Sequence, residues 1–246
     1  KDRKDYAPNY HGIIQQAHKN NKNWFDPNLK NIFKKFNFPF YFMDFETITQ
    51  GVPLIKNTQP YEALPFQWSV HKWESIDKEI DDGKSFLKFT DQDIERQFVE
   101  TLLEAVGDNG TIFAHNAKWV EIRILNLLKN KDSCMDLANK IDKIIDRVED
   151  SLILSRMNFY SPKMNGEWKI KSIIKAIPDC PVSYDGQDNI GGGDEAQLAW
   201  FIYTDTKTNN DQRKEQIKNL LNYCAKDTIA LYYLIKFLMN KSNDQS

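Results

Sequence analysis

No apolar run approaches the ~20 residues that cross a bilayer, and no signal-peptide pattern opens the chain, so no membrane is expected. Cysteine is scarce. Cys134, Cys180 and Cys224 are odd in number and far apart, without the paired spacing of a zinc site, which fits a reducing cytoplasm. An excess of one charge is missing too. A net charge of −2 lacks the surplus of a protein that holds duplex nucleic acid along a basic face; it favours a short contact in one pocket. Internal repeats are absent. The chain opens on Lys1 rather than Met, so other domains of a longer parent protein are expected.

What is present suffices for one core, since 41% of the 246 residues are hydrophobic against 28% charged. Residues 1 to about 23 are polar and Asn- and Lys-rich, and read as an irregular extension; Asp26-Pro27 then starts a helix carrying Leu29, Ile32, Phe33 and Phe36. The expected organisation is an extension with the start of a helix over 1–35, one domain over 36–240 and a disordered tail over 241–246. Aromatic and β-branched runs predict strands from Phe40, over Phe66–Trp73, over Ser85–Phe89 and over Thr111–Ala114. Thr90 and Asp93 resemble a capping box ahead of Ile94, Phe98 and Leu102, on a helix ending near Gly107. Helices are expected over 118–129, 134–148, 169–177, 194–203 and 212–240, with a short strand at Leu152-Ile153-Leu154. Strands first and helices later argue for an α/β fold with a mixed central β-sheet flanked by α-helices.

Three short clusters carry the chemistry. On a strand, Asp44 and Glu46 project from one face while Met43 and Phe45 project from the other. Two carboxylates in an aromatic strand repel and resist desolvation, and a divalent cation with a taste for hard oxygen removes that conflict. The pattern alone also fits an edge strand with two solvated acids. Asn116 follows a buried strand and precedes a helix whose apolar face is Val120, Ile124, Leu127 and Leu128; Glu121 lies one position off that face, near the core boundary. It fits a third metal carboxylate, or a solvated acid favoured by the helix dipole. In the last helix Tyr223 and Asp227 are four apart and share a face with Leu220, Ala230, Leu231 and Leu234, so Asp227 is expected to be partly buried.

Together, Asp44-Phe45-Glu46, the Asn-led second cluster and Tyr223-x-x-x-Asp227 resemble the three motifs of the DEDD exonuclease superfamily in its tyrosine subclass. The resemblance implies a ribonuclease-H-like fold and removal of nucleotides from 3′ ends with two metal ions. Residues 36–240 also resemble a bacterial domain family of uncharacterised function, with Pro60-Tyr61, Pro65-Phe66-Gln67 and Gly191-Gly192-Gly193-Asp194 as further matches. One departure stands out. The second-motif acid of the superfamily falls four residues after the Asn, where this chain has Val120; here it is Glu121. An inserted residue in the preceding turn restores its position, whereas a helical shift of ~100° swings it away.

By this resemblance two Mg²⁺ or Mn²⁺ ions, about 3.5–4 Å apart, would be held by Asp44, Glu46, Glu121 and Asp227. Asp44 would bridge both, Glu46 and Asp227 would serve the ion that activates water, and Glu121 the other, while Tyr223 positions that water. Single-stranded DNA or RNA is the expected partner, with Phe45, Thr47, Asn116, Trp119 and Lys169 as substrate contacts. Phe45, Trp68, Trp73, Trp119 and Trp168 are candidates for base stacking, three of the five being expected in the core. Lys163, Lys169, Lys171 and Lys175 are candidates for phosphate contacts or a solvated face, and Thr49–Pro65 for a wall of the pocket. Asp150 and Asp194 read as cap residues or supports behind the ligands rather than metal ligands. Two other functions stay open: a nucleic-acid-binding or scaffolding module with a degraded site, and a two-metal phosphoesterase acting on small nucleotides.

Overall fold

A computed structural model describes residues 9–244 apart from 54, 56–57, 90–92 and 185–191. Its centre is a five-stranded mixed sheet built from β2 (Phe40–Thr49), β3 (Ala63–Trp73), β4 (Lys84–Leu87), β5 (Thr111–Ala114) and β6 (Val148–Asp150), in the order β4-β3-β2-β5-β6. β2 pairs antiparallel with β3, and β3 with β4; β5 runs parallel to β2, and β6 parallel to β5. The acid-bearing strand is therefore central, and its outer end runs past the short β5.

Alternation divides the core between the sheet's two faces. Tyr41, Met43 and Phe45 face one cluster with Leu64, Phe66, Trp68 and Val70 of β3, beneath α3 (Ile94–Val106), α4 (Glu121–Leu128), α5 (Ala138–Ile145) and α8 (Gly193–Thr204). Phe40, Phe42, Trp73 and Phe113 face the other, beneath α2 (Leu29–Phe33), α6 (Ser151–Asn158), α7 (Ile170–Ile174) and α9 (Asn210–Asp244). Asp44 and Glu46 continue the Phe40 and Phe42 side. The pairing slips between Glu46 and Thr47, where Phe66 is the extra residue of β3, and this bulge returns Ile48 to the Met43 face. Ahead of β5, Gly110 has φ +91°, and a Cβ there would lie 2.0 Å from the Pro39 carbonyl oxygen, so the close approach requires glycine.

Several expectations change. Tyr10–Asn20 is a helix, α1, and not irregular: the Asn9 side chain caps it, Ala17 is buried, and His18 Nε2 lies 2.9 Å from the Tyr160 hydroxyl. Trp24–Phe25 (β1) pairs with Phe159–Tyr160 (β7), and Ala17, Leu29, Ile32 and Phe33 share a core with the later helices, so 9–35 packs as part of the same body. Leu152-Ile153-Leu154 is helical rather than a strand, because the Asp150 carboxylate accepts from the Leu152 and Ile153 N–H groups and starts α6. The strand is the preceding Val148–Asp150. The helix expected from 118 starts only at Glu121, that from 134 opens as a 3-10 turn over Asp132–Leu137, and that over 169–177 shortens to Ile170–Ile174. The tail stays helical through Asp244, with Ser242 buried and bonded to the Met239 carbonyl. Thr90 of the capping box and Gly191 lie outside the described residues. Among the described residues no helix is long and apolar enough to cross a membrane, and the three cysteines are free.

Candidate active site

β2, the turn after β5 and α9 bring the three clusters together. Asp44 and Glu46 look toward α9, which crosses that face with Cys224 and Asp227. Ligand atoms of Asp44, Glu46 and Cys224 lie within 4.8 Å of one another, and the Cys224 thiol donates to the Asp44 Oδ2 at 3.4 Å. Tyr184 donates its hydroxyl to the Asp227 Oδ1, and Tyr223 stands near enough to lower the same carboxyl's pKa.

Glu121 joins this group. Val120 is the residue before α4, so Glu121 is its first helical residue and points inward, 1% exposed. Asn116 absorbs the turn at φ +64°, a conformation Asn tolerates better than most residues. Asp150 fixes that turn by accepting from the Asn116 and Lys118 N–H groups at 3.1 and 3.3 Å. The turn thus aims the Glu121 carboxyl inward, close enough to Asp44 for the two charges to repel. Glu121 Oε2 is buried without a hydrogen-bond partner.

The electrostatics of the group are those of crowded acids. Burial holds all four carboxyls above their ordinary range. Mutual repulsion adds to it: Asp227 raises Asp44, Asp44 raises Glu121, and Glu46 is raised by Asp44, Asp227 and Glu121. Lys171 pulls Glu46 and Asp227 back, and its ammonium lies 5.1 and 5.5 Å from the Tyr184 and Tyr223 ring centres. Burial pushes both tyrosines up, with Asp227 next, so they remain protonated donors. Burial also keeps Cys224 a thiol, so the donors on offer are carboxylate oxygens. Such a set fits a hard divalent cation, with Asp44, Glu46, Glu121 and Asp227 as the residues to hold it.

A polar seam clamps α9 beside the acids. Opposite Glu46, Gln67 donates to the Leu220 carbonyl at 2.7 Å; opposite Asp44, Ser69 lies 3.2 Å from the Thr228 hydroxyl, which also meets His71 at 2.8 Å. All four side chains are buried. The visible signal was the alternation Gln67-x-Ser69-x-His71 in a strand otherwise apolar up to Lys72.

An open cleft of about 910 Å³ leads away from Tyr223 and Asp227, lined further by His115, Asn116, Arg156, Trp168, Lys169 and Lys171 among others. His115 bonds Ser151 Oγ and the Trp168 carbonyl, each at 2.9 Å, and burial lowers it to about 4, leaving it neutral. Asn116 and Lys169 line the cleft as expected contacts must; Thr47 sits beside Glu46 on β2. Three expected contacts, Thr47 among them, do not line it. The Phe45 ring packs at 4.9 Å on Phe98 in the core behind the acids, since it alternates with Asp44 and Glu46. Trp119 is 67% exposed and outside the cleft lining, with Lys118 over its ring. Trp68 and Trp73 are core as well, which leaves Trp168 as the tryptophan in the cleft. The described part of Thr49–Pro65 adds nothing to that lining. Tyr184, Arg156 and the seam carried no assigned role from sequence; Lys171 was one of four equivalent lysines.

The class defined by this geometry is an α/β domain with four clustered carboxyls, two buried and two half-buried, on a central strand and two flanking helices, Asp227 facing a cleft. Residues 41–169 match the model of the domain of unknown function DUF2779, just over half of the chain, and the chain belongs to that family. The match holds Asp44, Glu46 and Glu121 and ends before Tyr223 and Asp227. Neither a curated protein nor a solved structure matches the chain.

Proposed function

We propose that the domain is a metal-dependent phosphodiesterase of nucleic acids, a 3′→5′ exonuclease on single-stranded DNA or RNA with a ribonuclease-H-like fold. The observation that carries this is the convergence of Asp44, Glu46, Glu121 and Asp227, two buried and two half-buried, whose charges crowd together, with Asp227 opening onto a cleft. A fold gains nothing by assembling four such groups without a cation to hold. The central acid strand, antiparallel to β3 on one side and parallel to β5 on the other, supports the fold assignment. The inward Glu121 speaks against a degraded second motif.

Two Mg²⁺ or Mn²⁺ ions bound here would lower the pKa of the attacking water and stabilise the leaving oxygen. The chain's own groups do the rest. Tyr184 orients the Asp227 carboxylate through its hydroxyl, and Tyr223 lines the cleft beside it. Lys171 places a positive charge beside Glu46 and Asp227, where a bound phosphate needs one. Neutral His115 and capped Asn116 form a rigid wall. The test is cleavage of 5′-labelled single-stranded oligonucleotides in Mn²⁺, beside Asp44→Ala and EDTA controls. A ladder that shortens from the 3′ end and vanishes in both controls is expected, and its preference chooses the sugar. Turnover retained in Asp44→Ala overturns the assignment.

A further inference from the structure

The cleft holds a second polar feature that the acid centre does not use. Arg156, on α6, lines it and is exposed, with its guanidinium 4.8 Å from the Tyr10 ring centre and 5.8 Å from that of Trp168. The two rings also meet each other, edge to face, at 5.7 Å. Both are anchored. The Tyr10 hydroxyl donates to the Met157 sulfur at 3.1 Å, and the Trp168 indole N–H to the Phe159 carbonyl at 2.9 Å. Among the described residues no carboxylate pairs with Arg156; Glu167, the acid of the same lining nearest in sequence, instead accepts from Ser172 at 3.0 Å and pairs with Lys169 at 3.5 Å.

An arginine packed on aromatic rings keeps its planar face covered and its N–H edges available, a fork whose geometry matches phosphate oxygens. Ring packing also removes much of the rotamer freedom that binding otherwise has to freeze, so the group is preorganised. Building this platform draws on three separate elements: α1 through Tyr10, α6 through Arg156, and the segment before α7 through Trp168. That gives α1, which precedes the family match, a part in the cleft.

We infer that Arg156, held by Tyr10 and Trp168, is an anion subsite that grips a phosphate of the single strand other than the one cleaved. The inference rests on the proposed nucleic-acid substrate and gives that substrate a second point of attachment in the same cleft. Trp168 fixes the arginine.

Binding of a fluorescent single-stranded oligonucleotide to the full chain in EDTA, read by anisotropy over a salt series, tests it, with Mn²⁺-dependent cleavage measured in parallel. Arg156→Gln should weaken Kd about tenfold and reduce the slope of log K against log salt by ~0.7, the share of one phosphate on a single strand. Arg156→Lys should restore the slope but only part of the affinity, because it keeps the charge and loses the fork. A merely structural arginine moves affinity without moving the slope. Wild-type Kd and slope in Arg156→Gln, or an equal slope loss in both variants, overturns the subsite. If Arg156→Gln does not fold, the slope in Arg156→Lys together with that of Tyr10→Leu, which frees the arginine and should cost affinity, decides it. Binding and slope change without cleavage would uphold the subsite and sink the exonuclease; cleavage with no slope change would do the reverse; no binding by the wild type overturns the subsite, and the cleavage assay then decides the exonuclease by itself.

Discussion

Removing one charge from the acid cluster should stabilise the metal-free protein. The Asp44 and Glu46 ligand oxygens lie within 4.8 Å. Two unit charges at that separation repel by about 3 kcal/mol at an effective dielectric of ~20. Shared protons relieve part of this, since both carboxyls sit above their ordinary range. Asp44→Asn is therefore expected to gain about 1–3 kcal/mol near pH ~8 in EDTA, or several degrees in Tm at ~2–4 °C per kcal/mol for a chain of this length. The pH dependence follows from the direction of the shifts. Carboxyls raised in the folded state hold protons that the unfolded chain has released, so their contribution is full below the ordinary carboxylate range and is lost as pH rises through the folded values. The advantage of Asp44→Asn should accordingly fade on acidification to about pH 4. Mn²⁺ reverses the ranking, because a ligand at a hundredfold its Kd adds about 2.7 kcal/mol to the protein that binds it. Thermal melts of both proteins across pH, with EDTA and with Mn²⁺, supply the data. A variant that melts below the wild type in EDTA at high pH, or gains as much from Mn²⁺, refutes the reasoning.

Tyr184→Phe removes a hydroxyl that orients Asp227, and should cost about 10–100-fold in Mn²⁺ affinity or turnover, read by calorimetry and kinetics; an unchanged metal affinity and rate would remove Tyr184 from the site. Thr228→Val strands His71 and Ser69 in the seam and should destabilise the fold by about 1–3 kcal/mol in urea. Gly110→Ala drives a Cβ into the Pro39 carbonyl at positive φ and should cost at least about 2 kcal/mol by the same assay. His115 is lowered to about 4 in the fold, so the unfolded chain binds its proton first and stability should fall as pH drops from ~6.5 toward that value, by up to about 3 kcal/mol. A His115→Gln protein whose stability falls just as steeply over that window would show that another group is responsible.

The central acid strand was legible because alternation is local: Asp44 and Glu46 must share a face, and Met43 and Phe45 the other. The same rule could have placed the Phe45 ring in the core, where it lies, had it been weighed above the stacking candidates. Tyr223 and Asp227 were legible from helical spacing on an element long enough to leave no ambiguity of type. Glu121 was not settled by spacing, since its direction depends on the path of the turn at Asn116, which is a matter of φ angles and the Asp150 clamp. Tyr184 reaches Asp227 from an irregular stretch far away in the chain, where no periodicity points. α1 was missed because a polar, solvated helix with one buried alanine carries a faint apolar stripe; its docking depends on Tyr10 and His18 meeting residues more than a hundred positions later. Asp150 beside Leu152-Ile153-Leu154 was read as a cap, yet the three apolar residues after it were read as a strand; the cap was the better guide.

Whether the buried carboxyls are a metal centre is decided most directly by counting Mn²⁺ on the chain, with free ion measured by electron paramagnetic resonance during titration. Saturable uptake of two ions per chain, displaced by Mg²⁺ and reduced sharply in Asp44→Ala and Glu121→Gln, is the expected result. No saturable uptake, or uptake that both variants retain in full, would contradict the account at its centre.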